Sequence, residues 1–128
     1  MIIFFSTACG ESEERLMQII ETVVTERNIR TCRSIESLSR ELREPRDKDD
    51  IAILLASSRA ELSYLNLISL RNLLWDMKTI VILPDSSPDT VARGHILRPR
   101  FLSYCDGNFQ DVAAVLKRMI ENLDIKKH

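Results

Sequence analysis

Histidine, glycine, cysteine and tryptophan are all scarce in this chain of 128 residues, which holds two, three, three and one of them. The two histidines, His95 and His128, are far apart, so neither a histidine metal site nor a Ser-His catalytic pair is supported. Cys9, Cys32 and Cys105 form an odd set without C-x-x-C spacing, which speaks against a disulfide framework and for a reduced, cytoplasmic setting. No apolar run approaches the length of a membrane span. The N-terminal apolar run is too short for a signal h-region and has no basic segment before it, so a secretory leader is not expected. Charge of one sign is missing as well. The formal net charge is -1, with Lys and Arg spread among Asp and Glu, and this argues against a nucleic-acid or anionic-membrane surface. There is no repeat, linker or low-complexity tract.

What is present is a regular alternation of short apolar runs and amphipathic segments. Ile2 to Phe5 is an apolar run, Ser6 to Glu11 a loop of small residues with one glycine, and Ser12 a cap for a helix with Glu13 and Glu14 in its first turn. Leu16, Ile19, Ile20, Val23 and Val24 give that helix one broad apolar face. Ile29 to Arg33 reads as a strand with one wet side, at a sheet edge. Ser34 caps a short helix carrying Ile35, Leu38 and Leu42, which ends at Glu44-Pro45. Ile51 to Ala56 and Thr79 to Leu83 are unbroken runs rich in branched residues, as in strands buried on both faces. Between them lies one helical region, clearest from Leu67 to Met77, with Arg59 to Asn66 open between loop and first turns. Ser86 or Ser87 and Pro88 open a further helix that is expected to weaken at Gly94. Phe101 to Tyr104 is the last strand. Asn108 caps the final helix, whose apolar residues are Phe109, Val112, Ala113, Leu116, Met119, Ile120 and Leu123.

Five strands alternating with five helices over short connections imply an α/β fold: a flavodoxin-like, doubly wound three-layer sandwich with a five-stranded parallel sheet in the order 2-1-3-4-5. The chain, taken as one domain over residues 1–128, resembles a response-regulator receiver domain in length, in its five βα units and in the strand-turn-aromatic segment Phe101 to Phe109. That resemblance implies an aspartate at the end of the third strand that accepts a phosphoryl group, an acidic pair after the first strand that holds Mg²⁺, a Ser or Thr after the fourth and a Lys after the fifth. Here Ser6-Thr7 meets the acidic pair, Leu55 or Ala56 the acceptor, Leu83 or Pro84 the hydroxyl position and Cys105 or Asp106 the lysine. Leucine and alanine accept no phosphoryl group, and hydroxyls alone are poor ligands for a hard cation. The resemblance therefore implies a non-phosphorylatable signalling or scaffolding module, not an enzyme, with no cofactor and no metal. Its partner would be a protein, including a second copy met through the last helices and strand. That face is the usual receiver interface, and it makes Arg98 and Arg100 the candidate interface residues; solvated loop cations are the bland alternative.

The opening loop supports two rival chemistries. Ser6 to Glu13 resembles the flavodoxin phosphate loop, S-T-x-T-G-x-T-E, which would make the chain an FMN-binding electron carrier with Ser6, Thr7, Gly10 and Ser12 at the phosphate. Against this, Glu11 puts negative charge where the phosphate would sit, and only Tyr64 and Tyr104 could flank a flavin ring. Cys9 and Arg15 have the spacing of a C-x5-R phosphatase loop, but Glu11, Glu13 and Glu14 would repel a phosphate and raise the thiol pKa. Glu11, Asp85 and Asp106 each follow a strand and could converge on a cation; solvated turn acids are the plainer reading. Tyr64 and Trp75 read as half-buried packing rather than as a ligand platform.

Overall fold

The apolar runs become the strands of a single parallel sheet: β1 (Ile2–Ser6), β2 (Ile29–Cys32), β3 (Ile51–Leu55), β4 (Lys78–Leu83) and β5 (Phe101–Tyr104). The computed structural model describes residues 1–7, 10–24, 29–45 and 49–121, and the backbone of 122–126. The strand order is β2-β1-β3-β4-β5, as the alternation implies. Register is in step across the centre, with Ile2 beside both Ile29 and Ile51, and Ile51 beside Lys78. Every residue of β1 and β3 is buried, whereas β2 leaves Arg30 and Thr31 exposed at the sheet edge.

Side chains along a strand alternate between faces, so the same runs build two cores. Ile3, Phe5, Ala52, Leu54, Val81 and Leu83 point to one face, and Ile2, Phe4, Ile51, Ile53, Leu55, Ile80 and Ile82 to the other. The second face is covered by α1 (Glu11–Val23), through Leu16 and Ile20, and by α6 (Gln110–Lys126), through Val112 and Leu116. The first is covered by α2 (Ile35–Leu42), α3 (Arg59–Leu65), α4 (Ile68–Trp75) and α5 (Pro88–Ile96). Among the described residues no helix is long and apolar enough to cross a membrane.

Four local features differ from the expectation. The β3-to-β4 connection holds two helices, because Asn66 closes α3 with its side chain on the Leu62 carbonyl (3.0 Å) and Leu67 is extended (φ -59°, ψ 136°). Helix α1 starts at Glu11 with Gly10 in the cap position and no side-chain cap, so Ser12 lies inside the first turn. Glu11, Glu13 and Glu14 offset the helix dipole there. Helix α5 runs through Gly94 without weakening. A Cβ at that position would lie 2.8 Å from Leu83 Cδ2, so the missing side chain lets α5 sit close on the sheet. Phe109, not Asn108, precedes α6: its carbonyl accepts from Ala113 N–H (3.0 Å), while Asn108 Oδ1 accepts from Gln110 N–H (3.1 Å). Ser34 and Ser87 cap α2 and α5 as the sequence suggests.

Candidate functional site

In a sheet of this order ligands bind outside the carboxyl ends of the strands, near the point where the strand order reverses. Here that edge is formed by Ser6 and Thr7 after β1, Leu55 to Ser58 after β3, Leu83 to Asp85 after β4 and Tyr104 to Asp106 after β5. Leu55 and Ala56 are buried at the end of β3, and Ser6 is buried at the end of β1. The acidic side chain that lies between these two strand ends comes from elsewhere. Glu61, only 8% exposed in the first turn of α3, accepts from Ser57 N–H (3.1 Å), from the Ser57 hydroxyl (2.9 Å) and from the Thr7 hydroxyl. The Thr7 and Ser57 hydroxyls are themselves 3.4 Å apart. Sequence reading passes over Glu61. The signal was the Ser58-x-x-Glu61 spacing of a capping box, in which Ser58 Oγ accepts from Glu61 N–H (3.2 Å). The glutamate reaches one residue further back than that motif requires, to Ser57, and this ties α3 to the end of β1.

A second cluster spans the gap from α3 to α5. Arg59 lies 3.7 Å from both Asp85 and Asp89, and Arg93 pairs with Asp89 (3.1 Å) and donates to Ser63 Oγ (2.6 Å). The Asp85 carboxyl is held down to about 2 by hydrogen bonds from the Thr90 hydroxyl and from Ser87, with a smaller contribution from Arg59. These carboxylates are already matched by guanidinium groups, which makes them poor competitors for a divalent cation. Among the described residues, Glu11, Asp85 and Asp106 do not come together, and no three His, Cys, Asp or Glu side chains form a group able to hold a metal ion.

The remaining candidates are dispersed. Of the residues named for an FMN phosphate, Ser6 is buried, Thr7 is engaged by Glu61 and Ser57, Gly10 is exposed and Ser12 is half-buried. Cys9 lies outside the described residues, and its would-be partner Arg15 stands over the Phe109 ring, 5.6 Å from its centroid. Glu13 is buried and ion-paired with Arg33. Cys105 donates to the Pro84 carbonyl (3.2 Å), and burial, then Asp106, pushes its thiol pKa up, which keeps it protonated and a weak nucleophile. His95 is exposed on α5, and His128 lies outside the described residues. Tyr64 is exposed rather than half-buried, while Trp75 is half-buried as expected.

Arg98 and Arg100 sit at the opposite edge, just before β5. Arg98 has a left-handed backbone (φ 55°), and its guanidinium carbon stands 3.8 Å from the centroid of Trp75. Arg100 is exposed and its N–H donates to Thr79 O (2.7 Å). Comparison with known proteins returns no matching family model, no matching curated protein and no matching solved structure.

Proposed function

We propose that this chain is a receiver-like signalling or scaffolding module of the cytoplasm that acts through protein contacts and carries out no phosphotransfer. The observation that carries this reading is the pairing of buried Leu55 and Ala56 at the end of β3 with Glu61, whose carboxylate is occupied by Thr7 and Ser57. A receiver needs an aspartate at the first place and free carboxylate oxygens for Mg²⁺ nearby. Here the position of the acceptor has no nucleophilic oxygen, and Glu61, which reaches the crevice, serves to fasten α3 to the sheet. Fold alone supports many functions, so the reading rests on this local chemistry. Function then falls to the outer surfaces of the helices. The test is incubation with acetyl phosphate and Mg²⁺ followed by intact-mass measurement. No gain of a phosphoryl group is expected, and a stable adduct on an aspartate or glutamate overturns the proposal.

A further inference from the structure

The arginines before β5 lead to a surface of a different kind from the one the receiver resemblance implies. Trp75 closes α4 and donates its indole N–H to the Ile96 carbonyl at the end of α5 (2.9 Å), which joins the ends of the two helices. Two guanidinium groups lie on its ring, Arg98 at 3.8 Å from the centroid and Arg71, one turn back on α4, at 4.6 Å. Arg71 Nε is buried with no hydrogen-bond partner. Among the described residues Arg71, Arg98 and Arg100 pair with no carboxylate, a property they share with Arg15, Arg40, Arg43 and Arg118; what sets Arg71 and Arg98 apart is that both lie on one aromatic ring. Asp76, the nearest acid in the chain, ends α4 without pairing with them. Apolar surface flanks the cluster: Ile68, two turns before Trp75 on α4, is 68% exposed, and Ile96 is 47% exposed.

Arg98 is held in the left-handed region, which disfavours residues other than glycine. The residue is held there with its charge on an aromatic ring and no anion beside it. Trp, Arg and exposed aliphatic side chains together make the composition of an interaction hot spot. Charge selects the partner. Three unpaired guanidinium groups on a chain of net charge -1 suit a short acidic segment. They are too few for a lipid surface, which is recognised by clusters of about four to eight basic residues.

We infer that Arg71, Trp75 and Arg98, with Ile68, Ile96 and Arg100 around them, form the docking surface for an acidic peptide segment of a partner protein that carries aliphatic side chains among its carboxylates. This rests on the reading of the chain as a contact module, and it places the contact on the α4 and α5 ends rather than on the β5–α6 face. Trp75 is the chain's one tryptophan, so its fluorescence reports on the surface directly. The probe is a short blocked peptide of glutamate and leucine, with three comparators: its lysine counterpart, phosphatidylserine vesicles and oligothymidylate. The acidic peptide is expected to change the Trp75 emission saturably, with an affinity that falls as salt rises. Arg71→Met and Arg98→Gly are each expected to weaken binding about tenfold. Arg98→Gly relieves the left-handed backbone, so its thermal midpoint should hold or rise while binding weakens. Exposed Arg100→Gln supplies a variant that leaves the ring contacts intact and should also weaken binding. The inference is overturned if the acidic peptide fails to bind, if the lysine peptide, the vesicles or the oligonucleotide binds as tightly, or if the arginine variants bind like the parent. Self-association that masks Trp75 without peptide overturns it too, in favour of a second copy as the occupant. Phosphorylation by acetyl phosphate removes the contact-module reading whatever the titration gives, whereas a failed titration removes the partner chemistry alone.

Discussion

Asp85 is exposed at the end of β4, yet its carboxyl is held well below the ordinary range because the Thr90 hydroxyl and the Ser87 N–H and hydroxyl favour the ionised form. A carboxyl with a lowered folded-state pKa adds stability that is complete above its ordinary value and lost as pH falls through the folded one. For Asp85 that window runs from 3.8 down to about 2. Urea midpoints of the parent and of Asp85→Asn should therefore differ at neutral pH and converge at the acid end of the window; a gap that persists below it contradicts the assignment. Phe109 shows a second residue-scale constraint, since it is fully buried at a left-handed backbone position (φ 63°). Its ring belongs to the core on the α1 and α6 side of the sheet, with Arg15 above it. Phe109→Ala should cost about 3–5 kcal/mol in chemical denaturation, the range for emptying a buried aromatic site. A loss below 1 kcal/mol would show that the core closes over the gap.

Helices and strands were legible to different degrees. The strands could be read because burial on both faces demands unbroken apolar runs, and Ile2–Phe5, Ile51–Leu55 and Ile80–Leu83 supply them. Helix ends that rely on side chains could also be read, as with Ser34, whose hydroxyl exchanges hydrogen bonds with Ser37 in a reciprocal cap. Ser34→Ala should lower stability by about 1 kcal/mol in urea denaturation. Helix ends set by tertiary contact could not be read. The Asn66 side chain that closes α3 locally on the Leu62 carbonyl also donates to the Arg93 carbonyl across 27 residues (3.2 Å), and no local pattern announces that second contact. The same holds for Glu61. Its spacing from Ser58 suggests a cap, but its bond to Thr7 exists only once β1 and β3 lie side by side. Glu61→Ala removes an acceptor and leaves the Thr7 and Ser57 donors to find water, so a loss of about 1–3 kcal/mol is expected. In a double-mutant cycle with Ser57→Ala the two losses should fall short of additive; full additivity would mean that the contact carries nothing.

At the scale of the whole molecule, the candidate site was legible mainly through what it lacks. The positions at which a receiver would carry its chemistry fall on Ser6-Thr7, Leu55 or Ala56, Leu83 or Pro84 and Cys105 or Asp106, and the sheet brings their strand ends to one edge. The arginine and tryptophan surface was half legible. Arg98 and Arg100 stand out in the sequence beside Pro99, but the link of Arg98 to Trp75, and through it to Arg71, depends on the packing of α4 against the end of α5. The position of β1 between β2 and β3 bears on how the chain is made. This strand leaves the ribosome before either neighbour, and neither can pair with it until a helix and a further run of sequence have followed. A strand that is apolar over Ile2–Phe5 and open at both edges must wait through that interval, in which stray pairing with other chains competes with folding.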